Sequence, residues 1–410
     1  MRQFLVALVI CHQKGAAAEF RVVRWPFQVR CHGGPLFMHL GHLDSERPVT
    51  GSDAYGTLAA GGPVAWRRAM RAVGYYESLP ISEAGALCDI DLARPEPDAN
   101  DLLVAVRATA LNPVDVKTRL SKAGADDEPR VLGWDASGEV VGIGASVTDF
   151  EIGDAVWYAG DINRPGSNAE FQCVDARIAA RKPDSLNHVE AAAMPLTSLT
   201  AWECLFDRLG YDAEPSQHNQ QTPLLLINGA GGLGSMVLQC CRFAGIPVTA
   251  TASRESSRKW CLKLDATDVV GHEEIQRLTD GSFPRILCAH DTDAYFAEMA
   301  RLVAPQGLVC AVASAKQKHD IQALMAKSAG FVWELMFTRS LFQTDDMAKQ
   351  GEILRKVAQL VDSAVLQTTL TEELAGLSAT TFIKAHKRIE QGRMIGKLVV
   401  RISEQGDRDM

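Results

Sequence analysis

The sequence predicts an α/β protein in which a doubly wound parallel sheet is joined to a second, β-rich domain. Three observations support this fold class. Strands alternate with helices from about residue 199 onwards, which is typical of a parallel sheet covered by helices on both faces. A glycine-rich motif separates one of these strands from the helix that follows it. Upstream, short runs of β-forming residues are separated by Gly and Asp turns, as in a small barrel.

Length and composition indicate a globular protein with more than one domain. The chain has 410 residues, of which 47% are hydrophobic and 22% are charged. These proportions are ordinary, but the length exceeds what one hydrophobic core usually supports. The formal net charge is −8, so we expect neither nucleic acid nor an anionic membrane surface as a partner. The sequence contains no apolar run of about 18 residues, so we expect no membrane-spanning helix.

The ten cysteines are scattered along the chain, and no pair has CxxC spacing. A structural zinc site would need such close pairs, and a disulfide scaffold would be a shorter chain with denser cysteines. We therefore expect most of these thiols to be small buried side chains in a reducing compartment, and we expect the protein to be cytoplasmic.

The first 69 residues differ from the rest. They carry 8 Lys and Arg against 4 Asp and Glu, whereas the remaining 341 residues carry 34 against 46. They show no sustained helical or alternating pattern. Their first 14 residues resemble a signal peptide only weakly, because the apolar core is short and no clear cleavage site follows. We predict that residues 1–69 are a disordered or adventitious extension and that the working protein starts near Met70.

The pattern after Met70 predicts the β-rich domain first. "LLVAVRATAL" (102–111) is predicted to be a strand, and it leads into "ALNPVDVKTRL" (110–120), where an Asn-Pro turn precedes a helical pattern. "GEVVGIGASVTDFEIGDAVWY" (138–158) supplies the turn-separated strands of the barrel. The predicted boundaries are 70–196 for the β-rich domain, 197–334 for the parallel-sheet domain, 335–402 for a return to the β-rich domain and 403–410 for a polar tail.

The parallel-sheet domain is predicted from strand and helix patterns in turn. "TPLLLIN" (222–228) is a buried strand, "GGLGSMVLQCCRFAG" (231–245) is a helix that Gly245 ends, and "IPVTATAS" (246–253) is the next strand. Two further strands, a long helix and a closing strand are predicted from "RILCAHD", "GLVCAVAS", "DMAKQGEILRKVAQLVDS" and "GKLVVRI".

The motif between the first strand and helix of this domain has G-x-G-x-x-G spacing. Gly229 permits a tight turn, Gly231 lets backbone amides approach a pyrophosphate, and Gly234 lets the helix pack closely on the strand. The glycine spacing alone is a weak signal. Here a strand precedes the motif, and a helix and another strand follow it, which is the context of a dinucleotide-binding fingerprint. The predicted cofactor-binding residues of the turn are Gly229, Ala230, Gly231, Gly232, Leu233 and Gly234.

The end of the next strand favours NADPH over NADH. An NAD site usually has a carboxylate here, whereas cations suit the 2′-phosphate of NADP. The strand ends in "TASRESSRK", so Ser253 and Arg254 stand at its tip, and Arg258 and Lys259 follow one turn later. Glu255 supports the competing NAD interpretation. We predict that Ser253, Arg254 and Lys259 bind the cofactor.

From Met70 to about residue 402 the chain resembles the medium-chain dehydrogenase/reductase superfamily. The resemblance rests on "LNPVDVKTR", "GWDASGEVVGIGASV", "AGGLGSMVLQCCR" and "AHKRIEQGRMIGKLVV", which occur in the family's order. Within the superfamily the chain is most similar to the zinc-free quinone oxidoreductases, in particular bacterial proteins labelled zinc-type alcohol dehydrogenase-like. The resemblance implies a Rossmann nucleotide domain, a GroES-like β-rich catalytic domain and a homodimer.

The same motifs argue against zinc. Zinc alcohol dehydrogenases have the pattern G-H-E-x2-G-x5-G-x2-V, and here the frame runs from Gly133 to Val147 with Trp134 at the position of the metal-binding His. Asn112 or its neighbours stand where the other expected ligand is a Cys, and the four-cysteine lobe of the structural zinc is missing. Trp cannot coordinate zinc, and an amide oxygen is a poor substitute for a thiolate. We predict that the protein binds no zinc.

The resemblance also assigns roles to "ALNPVDVKTRL", which in the quinone oxidoreductases faces the nicotinamide. Asn112 would donate a hydrogen bond to the substrate oxygen or the nicotinamide region, Asp115 would orient neighbouring groups, and Lys117 would supply positive charge. A turn in which Asp115 caps the following helix is the alternative, and both can hold. Thr200 and Lys397 resemble family positions that contact the cofactor, for which a buried helix hydroxyl and a surface cation are the alternatives.

These features predict an NADPH-dependent, zinc-independent reductase of small-molecule quinones or activated enones and carbonyls. Without a Lewis acid, hydrogen-bond donors stabilise the negative charge that hydride transfer places on oxygen, and oxidation of an unactivated alcohol is the harder direction. Three alternatives stay open: an enoyl-thioester reductase, a zinc-type alcohol dehydrogenase with unusual ligands, and a non-catalytic NADPH-binding redox sensor. The segment 331–347 is predicted to pack in a core or subunit interface, with Trp333 or Phe337 at the edge of the substrate cleft as the alternative.

Overall fold

The structure, a computed structural model, describes residues 5–14, 17–26, 69–122 and 128–402. The chain divides into two units, Met1–Ala65 and Trp66–Met410. In the first unit, strands β1 (Leu5–Lys14) and β2 (Ala17–Pro26) form an antiparallel pair. Most of the predicted N-terminal extension and all of the predicted polar tail lie outside the described residues, so both stay predictions.

The strands of the second unit are, in chain order, β3 (Ala69–Tyr75), β4 (Cys88–Ala93), β5 (Asp101–Ala110), β6 (Arg130–Val131), β7 (Ala136–Ile143), β8 (Ala155–Tyr158), β9 (Phe171–Asp175), β10 (Ala179–Arg181), β11 (Leu224–Ile227), β12 (Val248–Thr251), β13 (Asp268–Val270), β14 (Phe283–Cys288), β15 (Val303–Ala311), β16 (Gly330–Trp333), β17 (Leu370–Ala375) and β18 (Lys397–Arg401).

The helices of the second unit are α1 (Pro113–Ser121), α2 (His188–Ala192), α3 (Pro195–Trp202), α4 (Gln217–Gln221), α5 (Gly232–Ala244), α6 (Glu255–Lys263), α7 (Thr292–Leu302), α8 (Thr338–Phe342), α9 (Lys349–Asp362) and α10 (Ala379–Glu390). No helix within the described ranges is long and apolar enough to cross a membrane.

A six-stranded sheet, parallel throughout, forms one half of the second unit. Its strand order is β13-β12-β11-β14-β15-β16. The chain starts at β11, moves outward through β12 and β13, and then crosses back to β14, which is the order of a doubly wound nucleotide-binding sheet. All four residues of β11 are buried, as expected of a central strand covered on both faces. The predicted doubly wound sheet is therefore confirmed.

A mostly antiparallel sheet forms the β-rich half. Its order is β10-β8-β7-β5-β18-β17, with β9 also paired to β5, and a three-stranded sheet β4-β3-β6 accompanies it. Strand β5 pairs with β7, β9 and β18. It is almost wholly buried, which explains its continuous apolar sequence. The predicted β-rich domain is also confirmed.

The closing strand, β18, lies next to residues 110–120, which we call the Asn-Pro segment. Strand β18 pairs antiparallel with β5, with Val399 opposite Ala110. Leu111 follows β5 directly, and its N–H donates to Leu398 O at 3.1 Å. Residues 111–112 and residues 396–397 therefore meet at one edge of the β-rich sheet.

A broken helix leads from the β-rich half to the parallel sheet. Pro195 occupies the first position of α3, where its missing N–H breaks no helical hydrogen bond. After Trp202 the helix continues as a π-helical segment, Glu203–Arg208. Such segments are rare and often lie at functional sites.

Candidate active site

The glycine-rich turn lies where the parallel sheet reverses its strand order. Strand β11 ends at Ile227 between β12 and β14, and α5 begins at Gly232 with Gly231 as its N-cap. Ligands of such sheets bind at this switch point, beyond the carboxyl ends of the strands. The first N–H groups of α5 have no partner within the helix, and the helix dipole adds positive potential. The turn therefore fits a pyrophosphate.

Each of two glycines in this turn is required by a close contact. A Cβ on Gly229 would lie 2.8 Å from Ala250 Cβ in the neighbouring strand, and a Cβ on Gly234 would overlap Asn228 O. The close packing of helix on strand that was predicted at Gly234 is thus present. The tight turn does not depend on Gly229 as predicted, because the positive φ, 71°, belongs to Asn228.

Residues 393–397, which we call the closing segment, cover the glycine-rich turn. Gly396 N donates to Ala230 O at 2.9 Å, and Gly396 forms a β-bridge with Gly231. The stem of Lys397 lies over Gly232, since a Cβ on that glycine would be 2.6 Å from Lys397 Cδ. The methylenes of Lys397 therefore pack on the phosphate-binding turn, and its ammonium lies beyond it.

The ammonium of Lys397 is buried among oxygen atoms of the Asn-Pro segment and the following strand. Its Nζ donates to Asp135 Oδ2 at 2.9 Å, to Asn112 Oδ1 at 2.5 Å and to Leu111 O at 3.0 Å. Only 4% of the lysine side chain and none of the Asp135 side chain is exposed. Three acceptors match the three N–H bonds of the ammonium. We call Asn112, Asp115, Asp135 and Lys397 the Lys397 cluster.

Asp135 joins three parts of the fold. Its Oδ1 accepts a hydrogen bond from Leu196 N at the start of α3 at 3.0 Å, and its Oδ2 accepts one from Asn112 Nδ2 at 3.0 Å as well as the one from Lys397. Burial raises the pKa of Asp135 above its ordinary value, whereas Lys397 and the N–H donors act in the opposite direction. Its position at a helix N-terminus also favours the carboxylate.

Asp115 holds the Asn-Pro turn against the loop before β7. Its Oδ2 accepts from Asn112 N at 2.8 Å, which caps α1 from within the first turn, and its Oδ1 accepts from Gly133 N at 3.0 Å. Burial raises the pKa of Asp115 to about 7, although the hydrogen bond from Asn112, the charge of Lys397 and the hydrogen bond from Gly133 lower it. Asp115 therefore both caps the helix and fixes the loop that carries Trp134 and Asp135.

The side chain of Asn112 is engaged inside the cluster. Its oxygen accepts from Lys397 and its Nδ2 donates to Asp135, while the nearest further acceptor for Nδ2 is Ala110 O at 3.5 Å. An amide nitrogen has two N–H bonds, so the second one has only this long contact with Ala110 O. A direct hydrogen bond to substrate stays a prediction.

Lys117 lies on the other side of α1. It is exposed, whereas Asp115 is buried, because two residues are separated by about 200° around a helix. The buried ammonium of this site belongs to Lys397 instead.

Trp134 occupies the position of the metal-binding His without offering a ligand. Its Nε1 donates to Asp161 O at 3.1 Å, and its ring packs edge-to-face on Phe337 with 6.0 Å between the ring centroids. Within the residues that the structure describes, no three His, Cys, Asp or Glu side chains are grouped so that they could hold a metal ion. An indole and an amide that is already bonded to Lys397 do not fit zinc.

The end of β12 carries the residues predicted to bind the cofactor's ribose end. Ser253 Oγ accepts from His272 N at 3.1 Å. Arg254 is the N-cap of α6, and its Nη1 donates to Arg393 O at 3.1 Å. The two residues therefore lie at the carboxyl edge of the sheet, with one guanidinium N–H directed to the closing segment.

The remaining predicted cofactor contacts have partners inside the chain. Lys259 forms an exposed ion pair with Glu255 at 2.6 Å, so the carboxylate that favours NAD has a cation beside it. Thr200 is buried on α3 and its hydroxyl donates to Leu196 O at 2.7 Å, which is the ordinary contact of a buried helix hydroxyl.

Sequence analysis did not single out Asp135, although it lies in a motif that was recognised. The available indication was a lone carboxylate at the start of β7 and a lone Lys at the start of β18, both in apolar surroundings. Isolated charges are seldom buried without a partner. The two residues are 262 positions apart, so no local pattern pairs them.

Comparisons with known proteins identify the family. The alcohol dehydrogenase GroES-like domain matches residues 98–184, and the zinc-binding dehydrogenase family matches residues 261–400. A zinc-type alcohol dehydrogenase-like protein of Staphylococcus epidermidis is 38% identical over 338 residues, covering 81% of this chain and 100% of the relative. The chain belongs to the medium-chain dehydrogenase/reductase superfamily. Among its members it is one of the zinc-type alcohol dehydrogenase-like proteins, and it is an oxidoreductase.

Solved structures of this superfamily share the fold. A Rhizobium etli protein named as a candidate zinc-dependent alcohol dehydrogenase is 42% identical, with a TM-score of 0.77 over 83% of this chain and 100% of that one. The Escherichia coli quinone oxidoreductase, solved with NADPH, has a TM-score of 0.68 and 19% identity over 81% of this chain and 99% of that one. The second likeness is one of fold alone.

Proposed function

We propose that this zinc-type alcohol dehydrogenase-like protein is an NADPH-dependent, zinc-independent reductase of quinones or activated enones and carbonyls. It acts on small molecules in the cytoplasm, without nucleic acid or a membrane as partner. The observation that carries the proposal is the Lys397 cluster, in which a buried ammonium and a buried amide lie beside the phosphate-binding turn. In the zinc enzymes of the superfamily, metal ligands stand at the positions of Asn112 and Trp134.

The Lys397 cluster suits the reduction of an activated carbonyl system. A bound nicotinamide supplies the hydride, and the acceptor gains negative charge on oxygen. Donors that are already oriented and shielded from water stabilise such charge most effectively. The Asn112 amide is a donor of this kind, Lys397 adds positive charge beside it, and Asp135 fixes the orientation of both. Water supplies the final proton, since a hydroquinone oxyanion is only a modest base.

The cations at the end of β12 support NADPH as the cofactor. Arg254 and Lys259 stand where a 2′-phosphate is bound in NADP-dependent enzymes of this fold, and Ser253 adds a hydroxyl. Glu255, the residue that favours NAD, is 81% exposed and paired with Lys259.

The decisive experiment follows oxidation of NADPH and NADH by the full-length protein with a panel of quinones and enones, with and without a chelator. We expect turnover that prefers NADPH and does not change with the chelator. Arg254→Ala is the matched variant. We expect it to lower kcat/KM for NADPH by about 10- to 100-fold, the size of a lost charge-assisted hydrogen bond, and to leave kcat/KM for NADH nearly unchanged.

Other outcomes identify the alternatives. Activity lost on chelation and restored by zinc indicates a zinc alcohol dehydrogenase. Turnover confined to enoyl thioesters indicates the related acyl-thioester reductases. Tight NADPH binding without turnover of any acceptor indicates a redox sensor.

We also propose that the protein is a homodimer formed through β16. This strand is the last in the parallel sheet, and an exposed edge strand readily pairs with another chain. Trp333 at its end and Leu335 just after it are 48% and 47% exposed. Two-fold pairing would bury the same patch on both copies. The variant Trp333→Lys/Leu335→Lys is expected to sediment as a monomer, and a wild type that sediments as a monomer would contradict the proposal.

A further inference from the structure

We infer that Asp135 and Lys397 are positioning residues that connect the phosphate-binding turn to the Asn-Pro segment, so that cofactor binding and turnover depend on one buried ion pair. The inference deepens the proposed function. Its turnover measurement rests on that function, whereas its binding measurement rests only on the nucleotide site.

The first connection runs from the turn to Lys397. Gly396 is hydrogen-bonded to Ala230 and bridged to Gly231, and the Lys397 stem lies against Gly232. A Cβ at Gly232 has no room unless the stem moves. Any shift of the turn when phosphate binds is therefore transmitted to the lysine.

The second connection runs from Lys397 to the Asn-Pro segment. The ammonium has one acceptor on Asp135, one on the Asn112 side chain and one on the Leu111 backbone. Satisfied hydrogen bonds in a region closed to water reinforce one another and favour a single geometry. Lys397 thus fixes which way the Asn112 amide faces, and leaves one N–H of that amide with only the long contact to Ala110 O.

The third connection runs from Asp135 to α3. The same carboxylate that binds Lys397 accepts from Leu196 N, and Thr200 follows one turn later on the helix. Asp135 is therefore the common partner of the closing segment, the Asn-Pro segment and the helix that leads into the nucleotide domain. Neither Asp135 nor Lys397 has to contact the substrate for this role.

The test compares the wild type with Asp135→Asn, Lys397→Met and the double variant. Lys397→Met keeps an apolar stem over Gly232, and Asp135→Asn keeps the shape of the side chain. We measure the Tm, the kcat and KM with the best acceptor, and the Kd of the preferred dinucleotide and of its ADP-ribose fragment, which lacks the nicotinamide. Lys349→Met is the control, because Lys349 forms an ion pair of the same length, 2.9 Å, with Asp207.

We expect stability and turnover to separate. The single variants lower the Tm, and the double variant restores it, because it leaves no uncompensated buried charge. The kcat falls in all three variants by roughly 10- to 100-fold, as when a reacting group is misplaced by about 1 Å. The Kd of the dinucleotide rises, the Kd of the fragment does not, and Lys349→Met changes neither kcat nor Kd.

Recovery of kcat together with Tm in the double variant would overturn the inference, because a merely structural ion pair behaves in that way. Gly232→Ala provides a second test that removes no polar group and does not need the double variant to fold. Its Cβ displaces the Lys397 stem, so its kcat loss and that of Lys397→Met should not add when the two are combined. Additive losses would contradict the inference.

The binding measurements separate this inference from the proposed function. If the wild type reduces no quinone or enone, the proposed function fails, and the two Kd values still decide the inference. Equal losses of affinity for dinucleotide and fragment contradict a connection to the nicotinamide side. A wild type that binds no dinucleotide would overturn both.

Discussion

The protein contains two buried groups of charges that are built in opposite ways. In the Lys397 cluster, the ammonium and both carboxylates have hydrogen-bond partners that match their geometry. The second group, which we call the Arg339 cluster, consists of Glu203, Asp207, Glu334 and Arg339. Arg339 approaches Glu203 Oε1 at 2.5 Å and Asp207 Oδ2 at 2.9 Å, and the carboxyl of Glu334 lies beside that of Glu203.

In the Arg339 cluster the two glutamates lack donors of the right geometry, whereas both oxygens of Asp207 accept hydrogen bonds from Arg339 and Lys349. Among the described residues, Glu203 Oε1, both carboxylate oxygens of Glu334 and Nη1 of Arg339 have no partner at a hydrogen-bonding angle, although Arg208 Nε is 2.7 Å from Glu334. Burial, then the neighbouring carboxyl of Glu334, raises the pKa of Glu203 well above its ordinary value. Burial therefore favours the neutral form of Glu203, which keeps a proton that an exposed glutamate would lose.

One helix connects the two groups. Leu196, in the first turn of α3, donates to Asp135, and the π-helical extension of this helix begins at Glu203. A fully paired cluster holds one geometry, which a reacting site needs. The Arg339 cluster contains a carboxyl whose neutral form burial favours and oxygens without a well-placed donor, so its contacts do not specify one geometry in the same way.

The largest expected effect distinguishes the two cations. Lys397→Met leaves Asp135 buried without its cation, and we expect it to lower the free energy of unfolding by about 3–5 kcal/mol. Arg339→Met should cost less, about 1–3 kcal/mol, because Lys349 still pairs with Asp207 and burial already favours the neutral form of Glu203. Denaturant unfolding of both variants checks this order, and an equal or larger loss for Arg339→Met would contradict it.

The second prediction uses the pH dependence of stability to detect the proton that Glu203 keeps in the folded protein. Because the pKa of Glu203 is raised from 4.5 in the folded protein, the native state keeps a proton that the unfolded chain has lost. The stability of the wild type therefore falls as pH rises above 4.5, by at most about 1.4 kcal/mol per pH unit for one group. Glu203→Gln cannot lose a proton, so its Tm should be close to that of the wild type in mild acid and higher in mild alkali. A Tm difference that is constant with pH would rule out a raised pKa of Glu203 in the folded protein.

The corresponding change in the Lys397 cluster should have the opposite sign. Both oxygens of Asp115 accept N–H bonds, so the amide nitrogen of Asp115→Asn would face a donor, at a cost of about 1–3 kcal/mol. The folded pKa of Asp115 is raised from 3.8 to about 7, so the stability of the wild type falls as pH rises through this range. The deficit of Asp115→Asn is therefore largest in acid and shrinks towards neutral pH. Thermal unfolding across this range checks it, and a stabilised Asp115→Asn would contradict the pairing.

The sequence predicted those parts of the fold that are encoded locally. The apolar strand β11, the glycine spacing and the helix ended by Gly245 are continuous in the chain, and the structure confirms them. The position of the nucleotide site follows from that order, because a switch point needs only the succession of strands and helices. The tight turn was assigned to Gly229, whereas the positive φ belongs to Asn228, since Asn also adopts this conformation.

The sequence could not predict which buried charges meet in either cluster, for a physical reason. Asp135 and Lys397 stand at strands whose pairing depends on the closure of the whole β-rich sheet, and Glu203 lies more than a hundred residues before Glu334 and Arg339. Periodicity reports which residues are buried and not which buried charges meet. The resemblance named Lys397 as a cofactor contact, but the acceptors of its ammonium became visible only in the structure.

The smallest expected effect sharpens the comparison through salt. Lys349 and Lys397 both lie 2.9 Å from an aspartate oxygen, but 41% of the Lys349 side chain is exposed against 4% of Lys397. Lys349→Met should cost no more than about 1 kcal/mol, and this loss should fall further in about 1 M salt, where exposed charges are screened. The loss in Lys397→Met should persist in the same salt, because water and ions do not reach the pair. Burial raises the pKa of Asp207, but Lys349 and Arg339 outweigh it and hold the value below 3.8, so the Lys349 contribution should also vanish as pH falls through that lowered value. Unfolding curves at low and high salt measure the stability losses of Lys349→Met and Lys397→Met. A salt-sensitive loss in Lys397→Met would mean that the Lys397 cluster is open to water and cannot fix the Asn112 amide.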